Sequence, residues 1–176
     1  RLKRIKGLLI APPKVELFMW LALLGKLNTK DMLCRKGILQ QSQNVCTFCS
    51  DQPETLDHLL VNCEVSWGVW YTSASEFGQA LSRRASLREL YESWLEVKWQ
   101  YKKVKKIWIS IFFAVAWSLW LWRNQITFNQ KELIINEVCL SIKWLVAQWT
   151  RAWKDKVPYQ VEEIARNFTS IPVIFQ

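Results

Sequence analysis

Residues 46–63 read CTFCSDQPETLDHLLVNC and place Cys46, Cys49, His58 and Cys63 in a C-x2-C-x8-H-x4-C spacing. A C-x2-C pair wraps a turn that aims two thiolates at one point. His58 and Cys63 supply a second pair after a loop that contains Pro53. Three sulfurs and one imidazole nitrogen suit tetrahedral zinc, whereas calcium and magnesium call for oxygen. With all four positions filled by protein, no site is left for an activated water, so one structural Zn2+ is expected. Five residues along an α-helix turn the chain by about 140° beyond one revolution, so His58 and Cys63 are not expected to share a helical face. Cys63 is expected just past the end of a short helix that opens near Thr55.

The alternative use of these cysteines is in disulfides of a secreted domain. The chain has five cysteines, an odd count, and a single histidine, which falls between the two cysteine groups. Both facts favour the metal. Cys34 and Cys139 lie in apolar helical patterns and read as buried thiols. Glu54, Asp57 and Glu64 surround the motif and read as solvated or supporting acids. No H-x-E before a P-C-x-x-C, no G-x-S-x-G, no P-loop and no Gly-rich dinucleotide turn occurs, so no enzyme motif and no small-molecule substrate are expected.

Upstream, Pro12 and Pro13 suit a helix start, and Val15, Phe18 and Ala22 recur at helical spacing up to Gly25. Thr29 can cap a second short helix that ends near Gly37. Downstream, Ser86-Leu87-Arg88-Glu89 has the form of a capping box. Lys102–Asn124 and residues 131–155 read as long helices, the second ended by Pro158, and a weaker helical stretch surrounds Val161–Arg166. The expected fold is mainly α: a helix pair, a small zinc module, then a Trp-rich helical hairpin or bundle. The domain reading is 1–70 for the zinc-binding unit (module 38–66), 71–98 for a linker and short helix, 99–157 for a helical region and 158–176 for a tail.

Ile107–Trp122 holds no charge, yet its 16 residues would reach only about 24 Å against a hydrocarbon core of about 30 Å. A buried helix is expected rather than a membrane span. The 176 residues are 51% hydrophobic and 22% charged, with twelve Trp, which excludes a disordered chain. The chain starts without Met or a leader peptide, and it reads as an intracellular piece of a longer polypeptide, nuclear or cytoplasmic rather than secreted. Its net charge of +9 is uneven: +7 over residues 1–50, −4 over 51–100 and +6 over 101–176. Such an excess favours polyanionic partners.

Pro12-Pro13-Lys14-Val15, Leu17-Phe18, Trp20, Leu27-x-Thr29-x-Asp31-x-Leu33 and Gly37 lead into the cysteine pair. Glu54-Thr55-x-x-His58-Leu59-Leu60-x-x-Cys63 and Val69-Trp70 follow. Together these resemble the zinc-binding domain downstream of the reverse transcriptase in plant LINE-type (non-LTR) retrotransposon polyproteins, over residues 11–70. The H-x4-C half also has the spacing of retroviral-type zinc knuckles, with a longer central loop. Trp117-Ser118-Leu119-Trp120, Arg123-Asn124 and Phe128 are similar to a segment that often follows in such polyproteins. The resemblance implies Cys46, Cys49, His58 and Cys63 as zinc ligands, and a non-catalytic role with RNA or DNA beside a polymerase.

Candidate nucleic-acid contacts are Arg1, Lys3, Arg4, Lys6 and Lys14, with Arg35, Lys36 and Phe48 beside the finger. Phe48 would stack on an unpaired base or simply cover the metal. The Lys102, Lys103, Lys105 and Lys106 run reads first as the wet side of an amphipathic helix. Two other roles stand beside nucleic-acid binding: a structural module docking on the reverse transcriptase portion of a parent polyprotein, and a fragment with no function of its own.

Overall fold

The computed structural model describes residues 9–175. Arg1, Lys3, Arg4 and Lys6, among the candidate nucleic-acid contacts, lie outside the described residues. Among the described residues the regular structure is helical, as expected, with eight α-helices in chain order.

Helix α1 (Pro13–Leu23) starts where proline tolerates a missing N–H partner, and buries Val15, Phe18, Met19, Ala22 and Leu23. Gly25 ends it with φ +68°, a left-handed conformation that glycine adopts without a Cβ clash. Helix α2 (Lys30–Arg35) opens on the Thr29 hydroxyl, which accepts from the Met32 N–H at 3.3 Å. Helix α3 (Glu64–Glu76) begins directly after Cys63 and continues into the stretch read as linker. Its inner side carries Val69, Trp70, Ser73 and Ala74, and burial of that side extends the helix past residue 71.

Helix α4 (Leu87–Glu96) is capped by Ser86, whose Oγ accepts from the Glu89 N–H at 3.1 Å. The Glu89 carboxylate reaches back to the Ala85 N–H at 3.2 Å, one residue earlier than a standard capping box. Helix α5 (Lys102–Asn129) crosses the whole domain and packs against α1, α3 and α4. It also packs along α6 (Ile135–Thr150). Helix α7 (Val161–Arg166) and α8 (Ile171–Ile174) close the chain.

The 28 residues of α5 span about 42 Å, enough to cross a bilayer, so the length argument from the uncharged run does not hold. What marks α5 as a core helix is its cover. Two-thirds of its most apolar window is buried inside the protein, including Ile111, Phe112, Phe113, Ala114 and Val115.

The core around α5 is aromatic. Trp94 and Trp108 stack with ring centroids 3.8 Å apart and 7° between planes. Each indole N–H donates to the other residue's backbone carbonyl at 2.9 Å, so a two-fold hydrogen-bonded pair joins α4 to α5. Trp70 on α3 meets both Trp94 and Phe112, and its indole N–H donates to the Leu60 carbonyl at 2.6 Å. That last bond ties the segment holding His58 to the same core. Trp153, past the end of α6, reaches the Ile10 carbonyl at 3.2 Å.

Candidate metal centre

Cys46 begins a tight turn in which the Ser50 N–H donates to the Cys46 carbonyl at 2.9 Å, with Ser50 at φ +55°. The Cys46 N–H donates to the Gln52 carbonyl at 2.7 Å, which closes the loop on itself. The second ligand pair comes from a different device. The Thr55 hydroxyl accepts from the His58 N–H at 3.1 Å, and residues His58–Asn62 then wind as a π-helix. The Cys63 N–H donates to the His58 carbonyl at 2.7 Å, an i→i+5 bond.

This wider turn corrects the expectation drawn from α-helical geometry. In an i→i+5 helix, residues five apart come round to the same side, so His58 and Cys63 do face one another. Cys63 lies just past that turn, as expected, with ψ 135°. It is both the end of the π turn and the residue from which α3 starts.

The four ligand atoms of Cys46, Cys49, His58 and Cys63 all lie within 4.8 Å of one another. A zinc ion about 2.3 Å from sulfur and about 2.0 Å from nitrogen sets tetrahedral edges of about 3.8 Å for S···S and about 3.5 Å for S···N. The Cys46–Cys63 sulfur separation is 4.0 Å and the Cys49 Sγ to His58 Nε2 separation is 3.3 Å. Those two separations match the tetrahedral edges, and with the other pairs within 4.8 Å the four atoms can hold a single zinc ion.

The protein also prepares the sulfurs. The backbone N–H groups of Phe48 and Cys49 face the Cys46 sulfur, and those of Val65 and Ser66, in the first turn of α3, face Cys63. Such donors offset thiolate charge. As a bare pair the two buried thiols split. Cys46 is pushed well up, by donating its proton to Cys63 and by burial. Cys63 is drawn down, by the Cys46 hydrogen bond and then against its own burial.

Beneath the turn lies Glu54, fully buried. One carboxylate oxygen accepts from the Lys30 N–H at 3.0 Å and from Arg123 Nη2 at 2.7 Å and Nε at 3.1 Å. The other accepts from the Thr47 N–H at 3.1 Å and from the Thr47 hydroxyl. Burial alone would raise this carboxyl, but the hydrogen bonds of Arg123 and Thr47 outweigh it and hold it below its ordinary 4.5. Asn44, also buried, accepts from the Glu54 N–H at 3.0 Å and donates to Asp31 at 3.2 Å. Through Thr47, this network supports the chain between the first two ligands.

The other two acids of the motif take different places. Asp57 accepts from the Leu87 N–H at 2.9 Å and so caps α4. Glu64 is exposed and pairs with Arg83 at 2.8 Å. Of the candidate nucleic-acid contacts, Arg35 pairs with Asp31 at 2.9 Å, Lys36 donates to Asn28 at 2.7 Å, and Lys14 lies 5.4 Å from the Trp117 ring centroid. Phe48 is half-buried against the core. Cys139 is buried, as read, but Cys34 is only half-buried. The short α2 has no fully buried side chain, and Cys34 donates instead to the Gln40 carbonyl at 3.3 Å.

Glu54 is a supporting acid, one of the two roles its sequence position allows, whereas Asn44 and Arg123 carry no such reading from the sequence. The available signal for Arg123 was its place as the first charge after the apolar run of α5, where a buried partner would be needed.

Residues 8–70 match the model of the family described as zinc-binding in reverse transcriptase, and that segment contains all four ligands. A protein from Arabidopsis thaliana, named as a ribonuclease H protein, is 26% identical over 136 residues, which are 77% of this chain and 21% of that protein. The chain therefore spans about a fifth of that relative's length. No solved structure matches the chain.

Proposed function

We propose that this chain is a non-catalytic zinc-binding module that helps hold RNA or DNA beside the reverse transcriptase of a plant LINE-type (non-LTR) polyprotein, inside the cell. The observation that carries this reading is the convergence of Cys46, Cys49, His58 and Cys63 within 4.8 Å of one another, in a segment matching the reverse-transcriptase zinc-binding family. The net charge of +9 supports the nucleic-acid role, since each phosphate contact releases condensed counterions. The closed donor set supports a structural ion and no chemistry of its own.

A docking role is the second reading. Leu17, Trp20, Leu140 and Phe128 are large apolar side chains left exposed, and the relative is several times longer than the chain. Titration of the zinc-loaded chain with labelled single-stranded RNA and DNA separates the two. Binding whose affinity falls steeply with salt supports the first. No binding at low salt, together with capture of the reverse transcriptase segment of the same polyprotein, overturns it in favour of docking.

A further inference from the structure

The five ion pairs among the described residues are unevenly placed. Near the metal centre Arg35 pairs with Asp31, Arg83 pairs with Glu64, and Lys30 and Arg123 share Glu54. The fifth joins Lys143 on α6 to Glu76 on α3. None of the five includes Lys102, Lys103, Lys105, Arg151, Lys154 or Lys156.

All six are exposed, and they come from two stretches of chain that meet. Lys103 Nζ donates to the Lys156 carbonyl at 3.2 Å, and Lys106 Nζ lies 4.2 Å from the centroid of the Trp153 ring. These contacts fix the start of α5 against the segment that follows α6. Beside them a cavity of about 220 Å³ is lined by Arg151, Lys156, Tyr159 and Gln160, with room for a phosphodiester group. Asp155 is the one acid in the 151–156 run. Lys102 and Lys105 are three apart on α5, a spacing at which like charges repel. Without a polyanion this arrangement costs stability.

We propose that this basic end of the bundle, with Lys102, Lys105, Arg151, Lys154 and Lys156 as its contacts, binds the phosphodiester backbone of a nucleic acid. It lies about 30 Å along α5 from Arg123 and the metal centre, so it is a second surface and not an extension of the finger. The inference rests on the nucleic-acid reading above and changes where the contacts are: beside the finger Arg35 is paired with Asp31 and Lys36 is bonded to Asn28, whereas none of the ion pairs among the described residues includes the five contacts named here.

The test is fluorescence anisotropy of the zinc-loaded full chain with labelled oligouridylate and oligothymidylate of about 20 nucleotides, across a salt series. The variants are Lys102→Gln/Lys105→Gln/Lys154→Gln and, at the finger, Arg35→Gln/Lys36→Gln. All substituted residues are exposed, and circular dichroism confirms the fold of each variant. The triple variant is expected to weaken binding by at least about tenfold at roughly 0.1 M salt and to reduce the slope of log K against log salt by about 2. The finger variant is expected to bind as the parent does. Equal losses with both oligonucleotides assign the site to the backbone, and a loss confined to one overturns that assignment. Parent-like binding by the triple variant, with loss in the finger variant, overturns the proposal and leaves the nucleic-acid reading standing. Absence of binding by the parent chain overturns both.

Discussion

Arg123 closes on Glu54 from 69 residues away, with Nη2 2.7 Å and Nε 3.1 Å from one carboxylate oxygen. Both side chains are buried, at 4% and 0% exposure. The segment that matches the zinc-binding family ends at residue 70, yet the cation that balances its buried acid comes from α5.

Removing one partner leaves a buried charge without compensation. Arg123→Met is expected to cost about 3–5 kcal/mol, read from chemical denaturation, and the double variant Glu54→Gln/Arg123→Met to cost less than the single. A double variant less stable than Arg123→Met would contradict this account.

The same pair sets a pH dependence. Glu54 is held below its ordinary 4.5 when folded, so its contribution is present above that value and is lost as pH falls through the lower, folded one. Stability measured by denaturant titration is expected to fall with pH below about 4.5 in the parent chain. In the double variant the fall is expected to be shallower.

Cys46→Ser and Cys49→Ser are expected to reduce bound zinc from one per chain to none by elemental analysis. Cys34→Ser and Cys139→Ser keep one. Chelation is expected to speed amide exchange in residues 38–70 in particular, because metal binding here is folding energy. Unchanged exchange after complete zinc removal would mean that the turn holds itself.

Trp94→Ala removes the stacked ring and the hydrogen bond its indole N–H donates to the Trp108 carbonyl, while the backbone carbonyl that accepts from the Trp108 indole remains. The expected cost is about 3–5 kcal/mol. Near-ultraviolet circular dichroism should lose the coupled signal of two parallel indoles, which a distant Trp substitution would leave in place.

The helices were readable where local signals agree with packing. Thr29, Gly25 and Ser86 mark ends because each meets a specific backbone need, and the structure uses them for those needs. The four ligands were readable because their spacing is chemistry on a short stretch of chain. Two things were not. The α-helical angle between His58 and Cys63 misled, since a π turn differs from an α turn by one hydrogen-bond register and has no strong residue signature. The Glu54–Arg123 pair is a long-range contact across 69 residues, and nothing in the local spacing of either residue names the other as its partner.

The π turn also limits how this site tolerates change. Because winding, and not a slack loop, sets the interval between the imidazole and the last thiol, gaining or losing a single residue within 59–62 would swing Cys63 away from its companions and shift the start of α3 with it. Length variation along this chain should therefore gather in the stretch between α3 and α4, while the four positions after His58 stay uninterrupted.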